Sequence, residues 1–571
     1  MGSCAPHLCL SGSVVNLQGR FVTKIAARYQ IVATVTDSSD NLRMTAETPA
    51  GPGPAPMSLD RLVRAWRDLG ATRSRNVKRD IIATVLQETP AADVDIVVSY
   101  LSGSLRQRRT GIGWRSLQEL PAPAAEPVLT AQEVDYSMEL MAALSGPGSA
   151  GLRQQALAEL FGRATEGEQQ LLSGLVFGEL RQGALESAVQ DGLAAAYEVP
   201  KEAVRRAAML LGSTAAAAGA LIRGGLPALE RVSLQVGIAV QPMLAASAPD
   251  VAQALAKTGL PAVVDAKLDG IRVQVHKSGD RVRVFTRSLD EITDRLPLVT
   301  SMVAALPQDQ LVLDGEALAL RPDGSPETFQ QIASSAATRS DLDRVDLSGR
   351  ERLPLRPYFF DLLRIDDQDL LDHPLQERSA IMERELPDEL LVPRLVATEV
   401  GPAVDLYEDV VRRGFEGVVI KNPQAPYAAG RRDSGWIKVK PRHTFDLVII
   451  AAEWGHGRRQ GWLSNLHLAA RADDSDDLIM LGKTFKGLTD EMLEWQTKRF
   501  LELEVRRTQG TVHLRPEVVA EIAVDGLQTS TRYPGGVALR FARVLRYRED
   551  KSAAEADTLS TVKKLLPVSR S

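Results

Sequence analysis

The apolar residues of this chain change their spacing once, and that change limits what it can fold into. Before QPMLAASAP (241–249) they recur every three or four residues, the spacing of a buried helix face. After residue 261 they alternate in short runs bounded by turn residues, the spacing of strands. The chain runs to 571 residues, too long for one hydrophobic core, so about three domains are expected.

The boundaries follow from the same pattern. Residues 1–56 are weakly periodic and end in ETPAGPGPAPMS, a Pro/Gly-rich break. They read as a loosely structured tail, or as sequence upstream of a true start at Met57. Residues 57–238 read as helical, with MSLDRLVRAWRDL, RDIIATVLQE and TAAAAGALIRGG as helices. Within them, YLSGSLRQRRTG (100–111) and LLSGLVFGELRQG (171–183) resemble each other. Each is read as a helix end that offers backbone amides and an arginine, Arg106 or Arg181, to a phosphate. Two similar helix termini are the simpler alternative. Residues 239–443 read as mixed α/β, 444–551 as short strands with one helix, and 552–571 as a C-terminal tail.

Composition removes several classes. The two cysteines, Cys4 and Cys9, lie in the first ten residues, which excludes a disulfide framework and a four-cysteine zinc site. Seven scattered histidines give no transition-metal centre. No apolar run is long enough to span a bilayer, and the start lacks the pattern of a secretory signal, so a cytoplasmic protein is expected. The net charge of −5 decides nothing, but cations cluster in TRSRNVKR (72–79), LRQRR (105–109) and RFARVLRYREDK (540–551). Such clusters bind phosphate even on an acidic chain.

The chemistry gathers around AKLDGIR (266–272), where Lys267 ends an apolar strand. A lysine there is costly if it stays charged and unpaired, so it either reaches water or reacts. As a nucleophile it needs a neutral amine, which burial and nearby cations would favour. Arg272, Arg287, Lys438 and Lys440 could supply that field. In WIKVK the alternation puts Lys438 and Lys440 on one strand face and Ile437 and Val439 on the other. Glu316 in LVLDGEA and Glu416 in FEGVVIK stand at the edges of β-branched runs, where carboxylates can hold Mg²⁺.

KLDG, FTRS, LVLDGEA, YFFDLL, FEGVVIK, WIKVK and RFARVLRYREDK occur in that order. The series resembles the covalent nucleotidyltransferases: DNA ligases, RNA ligases and capping enzymes. From about residue 57 to 565 it is most similar to the ATP-dependent DNA ligases of bacterial and archaeal type. That resemblance implies an all-helical DNA-binding domain, a nucleotidyltransferase (adenylation) domain and a C-terminal OB-fold barrel. It implies ATP and Mg²⁺ as cofactors, nicked duplex DNA as partner, and a monomer. It makes Lys267 the adenylated nucleophile and Phe360 the ring that stacks on adenine, with Phe359 in the core. Asp265, Arg272, Arg287, Glu316, Lys421, Arg432 and Lys438 are implied as ATP-binding, with Arg287 near the sugar and the nick phosphate. Lys440, Arg540 and Arg543 are implied to contact DNA or pyrophosphate, from a barrel that closes and opens about residues 438–446. Asp265 departs from the family, which usually carries a glutamate two residues before the lysine.

Two alternatives were weighed. An RNA ligase or capping enzyme would not explain the helical region. A DNA-binding scaffold with a decayed site would lack motif residues, and none is missing. Use of NAD⁺ is disfavoured because such ligases carry a cysteine zinc finger.

Overall fold

A computed structural model describes residues 8–9, 43–44, 55–107, 110–180, 186–337, 352–428, 432–456, 459–508 and 510–566. Nearly all of the expected tail over 1–56, and Arg181, lie outside the described residues. The chain divides into two compact units, Met1–Ser233 and Leu234–Ser571. Among the described residues no single helix is long and apolar enough to cross a membrane.

The first unit is helical wherever it has regular structure beyond residue 58. The helix Leu59–Ala71 begins where the Ser58 hydroxyl accepts the Arg61 N–H, and it buries Leu59, Leu62, Val63 and Leu69 at helical spacing. The helix Ala131–Ala143 starts at a reciprocal cap between Thr130 and Glu133. The helical run Thr214–Glu230 kinks at Gly225, whose φ of 62° and ψ of −161° leave the helix.

The two Leu-Ser-Gly stretches stand differently in their helices, and residues 181–183 of the second lie outside the described residues. The first follows the C-terminal end of helix Val94–Leu101, and Ser173 and Gly174 of the second lie inside helix Glu166–Phe177. A helix C-terminus presents carbonyl oxygens and the negative end of the dipole, which disfavours phosphate. Arg106 turns inward: its Nη1 lies 3.3 Å from the fully buried carboxylate of Asp135, and its side chain is 15% exposed. Its guanidinium neutralises a core acid. Local similarity showed neither which helix end was involved nor which acid the arginine would meet.

The second unit opens with two five-stranded sheets packed on one core. One sheet has the order Arg394–Ala397, Ala262–Lys267, Gly417–Lys421, Arg432–Val439, Leu244–Ser247. The other has the order Arg281–Thr286, Ile271–Ser278, Gln310–Leu318, Arg356–Ile365, Gln368–Asp369. QPMLAASAP, which broke the helical pattern, contains the strand Leu244–Ser247, paired in parallel with Arg432–Val439.

The C-terminal part is β-rich around a separate core. Its seven-stranded sheet centres on His443–Trp454, which pairs with Leu463–Arg471, Thr511–Leu514 and Val519–Val524. Arg543–Tyr547 pairs with Val519–Val524, and Gly526–Thr529 forms a separate ribbon with Val537–Arg540. Among the described residues no ladder joins the edge strand Leu478–Thr484 to Glu504–Thr508 or to Arg543–Tyr547, and the Val544 N–H donates to the Lys486 carbonyl at 3.0 Å just beyond that edge. Short alternating strands are legible in sequence, whereas closure depends on which edges meet. The segment read as a tail from residue 552 packs back on this domain: helix Leu559–Lys563 buries Val562, and the Arg471 N–H donates to the Asp557 carbonyl.

Candidate active site

Three paired strands turn one face toward a cavity. Asp265 is opposite Val419, which is opposite Lys438; Val263 is opposite Lys421, which is opposite Trp436; Lys267 is opposite Gly417. Directly paired residues project to the same side, so Asp265, Lys267, Lys421, Trp436 and Lys438 share a face. Val264, Ala266, Val418, Ile420, Ile437 and Val439 fall on the other face and enter the core. The other sheet adds Arg272, opposite Glu316, with Phe360 from the neighbouring strand. Together with exposed Arg287 these side chains line a cavity of about 690 Å³.

Two glycines let the walls approach. A Cβ on Gly270 of KLDG would meet the Ala317 carbonyl oxygen at 2.5 Å. Gly417 has φ +130°, and a Cβ there would meet the Val439 carbonyl oxygen at 2.1 Å. Just before it, the Glu416 N–H donates to the Lys267 carbonyl at 3.0 Å, which carries the Glu416 side chain to the lysine.

Lys267 therefore sits among acids and not among the expected cations. Its Nζ lies 2.6 Å from Glu416 Oε2. Burial pulls its pKa down, but Glu416, Glu316 and Asp269 outweigh burial and hold it above the ordinary lysine value. Lys440, expected to add positive field, is itself paired with Glu416. Arg272 is spent on Asp314 through two bonds of 3.1 and 2.7 Å, and it also donates to the Met243 carbonyl. Tyr427 donates its hydroxyl to the same Asp314 at 2.6 Å. Burial pushes the Glu316 carboxyl up to about 7; Glu416 and Asp269 add to this, against Lys267 and Arg272.

Asp265 is the centre of a buried charge cluster. Arg394 grips it through two bonds of 2.6 and 2.9 Å, and Lys421 Nζ stands 2.6 Å away. Burial raises its pKa, yet these two cations win and hold it below the usual carboxylate range. Burial lowers the Lys421 pKa more than Asp265 raises it. Lys421 also lies 4.7 Å from the ring centre of Phe360 and 4.2 Å from that of Trp436. Phe360 faces the cavity while Phe359 is fully buried, which is the arrangement expected of that pair.

The family description "ATP dependent DNA ligase domain" matches residues 242–440, and "ATP dependent DNA ligase C terminal region" matches 459–551. A protein of Beutenbergia cavernae named "Probable DNA ligase" is 57% identical over 505 residues, covering 87% of this chain and 97% of that protein. The chain belongs to the ATP-dependent DNA ligases. A "Probable DNA ligase" of a Nocardioides species is 56% identical over 502 residues, 87% of this chain and 96% of that protein. The solved structure named Pmar-Lig_PreS3 shares the fold with a TM-score of 0.59, at 18% identity over 85% of this chain and 99% of that one. The ligase is thus an enzyme that joins DNA strands and uses ATP.

Not every predicted residue reaches the cavity of the ligase. Arg432 begins the strand Arg432–Val439, and its side chain lies outside the described residues. Arg543 pairs with Asp525 at 3.4 Å within the C-terminal domain. Arg540 does reach across, with its Nη1 3.1 Å from Asp269 Oδ2. Sequence reasoning missed Arg394, Trp436, Asp314 and Tyr427. Trp436 was readable, because it shares the alternation of Lys438 in WIKVK. Arg394 carried no signal: it meets Asp265 across 129 residues of chain.

Proposed function

We propose that the ligase seals nicks in duplex DNA with Lys267 as its adenylated nucleophile. In the first step Lys267 Nζ attacks the α-phosphorus of ATP. The N–P bond forms, the bond to pyrophosphate breaks, and AMP stays on the lysine. The 5′-phosphate at a nick then takes the AMP and frees the amine. The 3′-hydroxyl finally displaces AMP and completes the backbone. The observation that carries this reading is Lys267 Nζ, 2.6 Å from Glu416 and facing a nucleotide-sized cavity.

The surrounding residues suit these steps. At rest the ammonium of Lys267 is held by Glu416, which must release it before attack. Asp265, Lys421, Phe360 and Trp436 form a charged and aromatic end suited to a flat base. Lys438 and Arg287 face the cavity where phosphate charge would lie.

The donor set also fits Mg²⁺. Glu316 and Glu416 are hard oxygen ligands, and both carboxylates act on Lys267. One or two carboxylates with substrate phosphates suffice for this ion, so a larger acidic cluster is not needed. When bound there, Mg²⁺ would offset phosphate charge.

We read the β-rich C-terminal domain as an OB-type module that closes over the cavity, and the ligase as a cytoplasmic monomer. The test is incubation with α-labelled ATP, followed by a nicked duplex. Label on the protein that survives alkali, is released in acid as an N–P bond requires, and passes to a DNA nick supports the reading. Absence of label would leave a binding scaffold, and transfer to RNA alone would favour an RNA ligase.

A further inference from the structure

Arg540 belongs to none of the strands that build the cavity, yet its guanidinium reaches the cavity's edge. It donates to Asp269, two residues past Lys267, at 3.1 Å. Its Cζ lies 5.4 Å from the ring centre of Phe329 and 6.0 Å from that of Phe541. Phe329 opens the helix Phe329–Ala337, lines the cavity and is 39% exposed, outside the buried core. Phe541 takes φ +53°, a left-handed backbone uncommon for phenylalanine, directly after Arg540.

The next helix residue makes a second contact. Gln330 Nε2 donates to the Thr529 carbonyl at 3.3 Å, and its Oε1 accepts from the Thr529 hydroxyl at 2.9 Å. Thr529 and Arg540 lie on the same ribbon, where Gly526 pairs with Arg540 and Thr529 with Val537. They stand at opposite ends of it, about 10 Å apart at roughly 3.3 Å per residue. Two consecutive residues therefore hold the ribbon at both ends.

We propose that Phe329 and Gln330 are positioning residues for adenylation, seating the ribbon so that the Arg540 guanidinium faces the cavity while Lys267 takes AMP. This rests on the reading of Lys267 as the adenylated nucleophile. As the N–P bond forms and the bond to pyrophosphate breaks, negative charge grows on the leaving group. A guanidinium fixed beforehand offsets that charge without reorganising. The ring of Phe329 holds the planar cation as a lysine would not be held. Pyrophosphate leaves only in the first step, so the contact serves that step alone.

The test follows label transfer from α-labelled ATP to the full-length chain in a single turnover. Phe329→Leu keeps apolar bulk and loses the π-face; its rate at saturating ATP should fall about tenfold, with half-saturation within about twofold of the parent. Phe329→Trp should restore the rate. Gln330→Ala should slow adenylation about threefold and leave sealing of a pre-adenylated nick unchanged. Because Phe329 acts through Arg540, Phe329→Leu combined with Arg540→Ala should be no slower than Arg540→Ala alone. Parent-like adenylation by Phe329→Leu overturns the inference, as do multiplying effects in the double variant. So does an equal loss of adenylation and of pre-adenylated sealing in Phe329→Leu, which would mark a structural role. A parent chain that takes no label would instead defeat the underlying reading of Lys267.

Discussion

The cavity sheet and the C-terminal strand region are both dense in charge, and the ligase uses them in opposite ways. Around the cavity, Asp265, Arg394 and Lys421 are buried and meet across three strands drawn from distant parts of the chain. In RFARVLRYREDK two pairs are nearer water, Arg546 with Glu521 and Arg543 with Asp525, while Arg548 and Lys551 share the buried Asp446. The first set is mutually dependent, because removing one member leaves a charge stranded in low dielectric. The exposed pairs of the second set, at Arg543 and Arg546, are screened and individually weak. Charge density in a sequence is therefore a poor guide to function until burial and partners are known. RFARVLRYREDK, with five cations against two acids, reads as one phosphate-binding strip. In the fold Arg543, Arg546, Arg548 and Lys551 hold their own domain together, and Arg540 alone of the five pairs with the cavity.

The sharpest way to break this contrast is Lys267→Ala. It should abolish the labelled protein adduct formed from ATP, while sealing of a pre-adenylated nick persists in part. An adduct in the variant would remove Lys267 from the chemistry.

Next in size is Arg394→Ala, which leaves Asp265 with Lys421 alone. Breaking this buried pair should cost about 3–5 kcal/mol in denaturant unfolding and lower the adenylation rate with it. A loss below about 1 kcal/mol would show that the cavity cluster behaves like the surface pairs.

Acid titration separates the two regions by pH. In the adenylation region burial, with the charge of Arg283 adding to it, lowers His276 to about 3, and the ring stays neutral between the Gly237 N–H and Gln274. The unfolded chain takes up that proton near pH 6.5, so stability is full above about 6.5 and falls as pH drops toward 3. The slope should be about 1.4 kcal/mol per pH unit, and His276→Gln should flatten it. In the C-terminal domain burial raises Glu453, but bonds from Lys483, His467 and Asn465 outweigh it and hold the carboxyl near 2. Its contribution is present above about 4.5 and is lost only as pH falls toward 2. If both regions unfolded in the same acid window, the contrast in burial would not govern their stability.

The smallest effect is expected from Arg546→Ala. Its partner Glu521 lies on the adjacent strand and the arginine side chain is 62% exposed, so unfolding should change by less than about 1 kcal/mol. Adenylation should be unaffected. A large loss of adenylation would restore the strip as a phosphate site.

Much of the cavity was legible because strand periodicity is local. Alternation in WIKVK separates Lys438 from Ile437 and Val439, and the paired strands follow it. Lys267 and Glu316 were readable at the edges of apolar or β-branched runs, whereas Asp265, Phe360 and Lys421 came from the resemblance in motif order. Arg106 shows the limit of such local reading: a motif gives a residue's type and spacing but not its partner. Its guanidinium meets Asp135 in the core, a contact set by helix packing.

By itself, then, the sequence of this ligase determined the helical and β-rich regions, the placing of a lysine at the end of an apolar strand and the side chains that share a strand face. These depend on repeats of two or about four residues and on motif order, which are properties of adjacent positions. Only the tertiary structure decided that Lys267 would face Glu416 rather than a cationic field, and that Arg394 would clamp Asp265. Those outcomes depend on which distant segments pair and on how deeply they are buried. Burial fixes the strength of each charge interaction, and no local spacing encodes it.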